Sequence, residues 1–62
     1  MMSPAFYAAL DKILAPHRST TFELRDVLHE GRPALEVGPE DSRVVWGLIW
    51  LDKNGRLQWI KK

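Results

Sequence analysis

His17, His29 and the serines at 3, 19 and 42 are where nucleophilic, acid–base or metal chemistry would have to start, because the chain contains no cysteine. The two histidines stand twelve positions apart and neither has a second ligand at a metal-binding spacing, so zinc would depend on imidazole and carboxylate alone. His29, beside Glu30, reads as a solvated histidine at a turn or helix end. The serines fall in cap or loop contexts without a base nearby, which leaves a triad unsupported. Gly31, Gly38, Gly47 and Gly55 are isolated and form no phosphate-cradling loop. Glu40 and Asp41 read as loop-solvating or helix-starting carboxylates rather than a pair sharing a proton. So short a chain also has little room to enclose a pocket of several hundred cubic ångströms. The expectation is a protein that is not an enzyme, with no cofactor, no metal and no small-molecule substrate.

Binding chemistry is better represented. The stretch VVWGLIWLDKNGRLQWIKK, residues 44 to 62, holds all three tryptophans together with Lys53, Arg56, Lys61 and Lys62. Aromatic side chains with an arginine and lysine rim have the composition of an interaction hot spot. The candidate partner-binding set is Trp46, Leu48, Trp50 and Ile60, with Arg56, Lys61 and Lys62 steering encounter. The alternative is a nucleic-acid surface made of Lys53, Arg56, Trp59, Lys61 and Lys62, since interleaved cations and aromatics can neutralise phosphates and stack bases.

Composition sets limits on both readings. With 62 residues the chain is a single small domain, 1 to 62, and 45% hydrophobic residues place it among folded rather than disordered sequences. Lack of cysteine excludes disulfides and thiolate metal sites, so added stability must come from packing or association, and it fits a reducing cytoplasm. The run MMSPAFYAALDKILAP has no early positive charge and is broken by Asp11 and Lys12, so neither a signal peptide nor a membrane segment is expected. A net charge of +1 lacks the strong basic balance of a dedicated nucleic-acid binder. Its distribution is uneven, however: six carboxylates against two arginines leave residues 23–41 at −4, while the last ten residues carry +4.

Local signals then place these residues on elements. Ser3-Pro4 is a helix start, Phe6, Ala9, Leu10, Ile13 and Leu14 make one apolar stripe, and Pro16 disfavours helical geometry at Ala15, which predicts a helix from Pro4 to about Leu14. Thr20 to Val37 supports two readings. As a helix, Thr20 to Glu23 is a capping box, Leu24, Val27 and Leu28 form a stripe, and Gly31 ends it. As strands, Phe22 to Arg25 and Leu35 to Val37 alternate apolar and polar around a turn at His29-Glu30-Gly31-Arg32, with Asp26 breaking the pattern. The strand reading is preferred because Leu35-Glu36-Val37 needs a neighbour. Gly38 to Ser42 reads as a loop, Arg43 to Leu51 as a strand, Asp52 to Gly55 as a turn and Arg56 to about Lys61 as the last strand.

The expected fold is therefore α+β: an amino-terminal amphipathic helix on a small antiparallel meander that ends in a carboxy-terminal hairpin. The alternative of two helices plus the hairpin would be winged-helix-like, but it leaves only Pro33 to Val37 for a recognition helix. Two hairpin registers are open. A type I turn with a glycine bulge sets Leu51 opposite Leu57 and Ile49 opposite Trp59; a two-residue turn at Asn54-Gly55 sets Trp50 opposite Trp59. Either way both faces of the hairpin are apolar, and one short helix covers about one of them. The other needs a second helix over Thr20 to Glu30, a second copy of the chain, or another protein. In size, missing catalytic residues and aromatic content the chain is similar in style to the small inhibitor proteins of phages and mobile elements, a likeness that implies an inhibitor or adaptor acting by contact.

Overall fold

A computed structural model describes residues 3–62; Met1 and Met2, and the part of the amino-terminal reading that rests on them, lie outside it. Helix α1 spans Pro4–Leu14. The Ser3 hydroxyl accepts from the Phe6 amide at 3.3 Å with Pro4 at the first turn, so a free amide gains a partner and the residue that lacks one sits where none is needed. Pro16 is absorbed in a short 3-10 turn, Ala15–His17.

Four strands follow: β1 Phe22–His29, β2 Arg32–Pro39, β3 Gly47–Leu51 and β4 Leu57–Lys61. They pair in sequence order, each antiparallel to the next, giving the expected helix on a meander. The two-helix, winged-helix-like alternative is not adopted. Thr20 to Glu30 has a helix-start signal, but Glu30 and Gly31 take φ of 53° and 76°, a two-residue turn that sets Leu24, Arg25 and Asp26 against Val37, Glu36 and Leu35. Ladder pairing over eight residues outweighs the local capping preference.

The second turn fixes the hairpin register. The Asp52 amide donates to the Arg56 carbonyl at 2.8 Å, the Gly55 amide to the Asp52 carbonyl at 2.9 Å, and Gly55 has φ 77°. This is the glycine-bulge form, with Leu51 opposite Leu57 and Ile49 opposite Trp59. The Asp52 carboxylate accepts the Arg56 and Asn54 amides at 2.9 and 2.8 Å and the Gln58 side chain at 3.1 Å. Those donors, the Arg56 amide foremost, hold its carboxyl below the ordinary carboxylate value against an opposing desolvation effect.

α1 lies over β3 and β4. Its Phe6, Ala9 and Ile13 form the core with Val37, Trp46 and Ile49, edged by Leu10, Leu14, Leu35 and Leu57. Gly47 makes this close approach fit, since a Cβ there would stand 2.7 Å from the Ile60 carbonyl oxygen and 2.8 Å from Ile13 Cδ1. Strand β3 starts at Gly47, later than the expected Arg43. The Trp46 amide donates at 2.7 Å to the Val37 carbonyl although Val37 is already opposite Gly47, so two residues face one, as in a bulge, and the preceding chain leaves the ladder.

Two outcomes follow. Gly47→Ala should lower unfolding stability in urea by about 1–3 kcal/mol, because the new methyl has buried atoms in its place. Asp52 has a depressed folded-state titration, so its contribution is full above the ordinary carboxylate value and is lost as pH falls through the folded-state value. The drop in urea midpoint between neutral and acidic pH should therefore be smaller in Asp52→Asn than in the wild type; an equal drop in both would show that the turn carboxylate does not contribute.

Candidate interaction surface

The face of the sheet turned away from α1 is built by strand pairing. Val27, Ala34 and Trp50 lie in one row across β1, β2 and β3, and Arg25, Glu36, Leu48 and Ile60 lie in the next row across all four strands. Neighbouring strands are about 4.8 Å apart, so a β1 side chain meets one from β3 only by leaning over β2. Ala34, small and buried, permits this: His29 lies against Trp50 with ring centroids 4.2 Å apart, tilted by 44°. Among the described residues no second helix covers this face, which is closed by its own side chains and a connection.

Arg25 organises that closure. Its Nε donates to Glu36 at 2.8 Å and Nη1 to Glu23 at 3.0 Å, while the same guanidinium reaches the carbonyls of Pro39, Ser42 and Val44 at 3.3, 2.7 and 2.8 Å. One side chain thus ties β1 and β2 to the chain leading into β3. The carboxylate of Glu23, followed by that of Glu36, pushes the Arg25 titration further up from its ordinary value against desolvation. Gly38 lies directly beneath; a Cβ there would collide with the Val44 carbonyl oxygen and the Arg25 guanidinium.

The residues proposed from sequence are only partly brought together. Leu48, Trp50 and Ile60 share the open face, with Leu48 9% exposed and the other two half-buried. Trp46 does not join them. The bulge at Val37 turns it to the helix side, where it is 9% exposed, packs in the core and stacks on His17 at 4.0 Å with planes 2° apart. Arg56 is exposed beside the β3–β4 turn and Lys61 and Lys62 at the opposite end of β4, so the basic rim is split along about 20 Å of strand rather than gathered at Trp50. In the nucleic-acid set, Trp59 and Lys61 share the helix side, with Trp59 36% exposed, while Lys53 and Arg56 are exposed at the turn end.

Three features escaped the sequence reading. The Arg25 clasp was legible only as a charge among charges, although Glu23, Arg25 and Glu36 stand at strand spacing. The His29–Trp50 contact depends on Ala34, a residue with no signal of its own. An open groove of about 650 Å³ also lies beside the start of α1, lined by Phe6, Leu35, Ile49, Leu51 and Leu57 with Asp26 at its side. So small a chain does therefore form a recess of ligand-like volume, as an open surface rather than an enclosed cavity. Among the described residues no three of His, Cys, Asp or Glu gather at metal-holding range, and no helix is long and apolar enough to cross a membrane.

Comparison with protein-family models, with curated proteins and with solved structures finds no match.

Arg25→Leu should release the connection over residues 40–46, read as faster amide exchange there and a lower urea midpoint, with the β3–β4 hairpin amides less affected. Uniform loss of protection across all four strands would show that the clasp is required by the whole sheet and not by the connection alone.

Proposed function

We propose that the protein acts by binding another protein, as an inhibitor or adaptor and without catalysis, through the sheet face that α1 leaves open. One observation carries this reading: the chain's helix covers one side of a four-stranded sheet, and the other side carries the half-buried Val27, Trp50 and Ile60 around a buried Leu48, with His29 resting on the indole. An indole of this kind is an efficient anchor because it offers a large rigid contact area with two rotatable bonds. Trp50 is the central residue, Ile60 lies beside it, the buried Leu48 backs both, and Arg56, Lys61 and Lys62 steer approach from the ends of β4. Trp46, buried under α1, belongs to the scaffold. A cytoplasmic setting is part of the same reading, on the ground that the chain carries no cysteine.

Nucleic acid is the second reading. Its support is Trp59, exposed on the helix side with Lys61 two residues along on the same side, and Lys53 and Arg56 at the turn. Binding of this kind must weaken steeply with salt. No shift on titration with mixed single-stranded and duplex DNA at low salt removes it.

The decisive variant is Trp50→Ala. Capture from extracts of the native host followed by calorimetry on the retained protein should show a loss of about 2 kcal/mol or more in binding. Circular dichroism should show the monomer still folded. Unchanged capture, or a chain that no longer folds, ends the reading.

A further inference from the structure

We propose that the free edge of β1 is a self-association site at which a second copy of the chain adds its own β1, antiparallel, to make one continuous eight-stranded sheet. The proposal concerns the sheet edge and stands apart from the use of the open face. In the two-residue turn at Glu30-Gly31, the flanking His29 and Arg32 exchange both ladder bonds, and the alternation then assigns Val27, Arg25 and Glu23 to bonding with β2. Phe22, Leu24, Asp26 and Leu28 consequently direct their amides and carbonyls outward. Among the described residues no hydrogen bond reaches the backbone of these four from outside the β1–β2 ladder.

Edges are ordinarily blunted by short length, proline, bulges or charged side chains, lysine above all. β1 has eight residues, an unbroken register with β2 and no proline or lysine, and Asp26 is the one charge in its outward row. β4, the other edge, is five residues long and ends in Lys61, with Lys62 following. The outward row of β1 is also the apolar one. Phe22, Leu24 and Leu28 are 41%, 36% and 73% exposed on the helix side of the sheet, because α1 sits over β3 and β4. An occupant must therefore be an extended strand that brings apolar side chains to Phe22 and Leu28, and β1 itself does so.

A two-fold axis normal to the sheet keeps each face on its own side, so outward residues meet outward residues. Centring the axis on Asp26 would set two carboxylates directly opposite, which is unfavourable. Centring it on Leu24 leaves Leu28 opposite Thr20, beyond the strand. Centred on Arg25, Phe22 faces Leu28 of the second copy and Leu24 faces Asp26, giving four pairs and about eight hydrogen bonds. The two Arg25 side chains do not compete at the axis, because each is drawn inward over β2 by Glu36 and the Ser42 and Val44 carbonyls.

The register supplies its own test. Sedimentation of the full chain between about 5 and about 500 μM should show a monomer passing to a dimer. Amides of Leu24, Asp26 and Leu28 should gain about tenfold or more protection from exchange over the same range, a readout that needs no variant. Leu24→Glu places a carboxylate opposite Asp26 twice per dimer and should raise the dissociation constant at least about tenfold. The double variant L24E/D26K should restore it toward the wild-type value. Circular dichroism confirms that each variant folds. A chain that stays monomeric throughout, outward amides that remain unprotected, a dimer indifferent to L24E, or one abolished by Trp50→Ala overturns the proposal.

Discussion

An eleven-residue helix is about 16 Å long and, with its side chains, about 10–12 Å across, which is too narrow to roof four strands spaced about 4.8 Å apart. Much else in this molecule follows from that mismatch. α1 settles where its stripe meets the deepest contacts, over β3 and β4, and Ile13 reaches the backbone at Gly47. The helix side of β1 is consequently left in water, and the far side of the sheet has to be closed without a second layer. A protein with so little core cannot cover everything; the arrangement covers the hairpin and leaves the helix side and the outer edge of β1 exposed.

The far face shows how a single layer can still shelter apolar groups. Its upper half is polar and tied together by the Arg25 guanidinium, whose donors satisfy two carboxylates and three carbonyls at once. Its lower half is aromatic, with the His29 and Trp50 rings meeting across Ala34. Within the acidic stretch between residues 23 and 41, Glu23 and Glu36 both turn toward Arg25, one of its two arginines, and the excess of −4 over the stretch stays.

Local chemistry wrote some of this plainly. Ser3-Pro4 and the Phe6, Ala9, Leu10, Ile13, Leu14 stripe define α1 to the residue, because capping and helical periodicity act within one segment. The meander followed from the need of Leu35-Glu36-Val37 for a partner, and the glycine at position 55 admitted the register that the turn adopts. Trp46 was less legible. Strict alternation from Gly47 puts it on the open face, and its place in the core depends on Val37 facing two residues, a feature of pairing between strands that no single segment encodes. For the same reason Arg43 to Val45 do not continue β3: the Val44 carbonyl serves Arg25 instead of a neighbouring strand.

The meander pairs each strand with its neighbour in sequence, so its ladders can zip in order as the chain lengthens. The core does not share that locality. α1, at the amino-terminal end, finds its main surface on β3 and β4, at the other. On a ribosome the helix stripe would therefore emerge first and wait, its phenylalanine and isoleucine unsheltered, until the closing hairpin had cleared the exit tunnel.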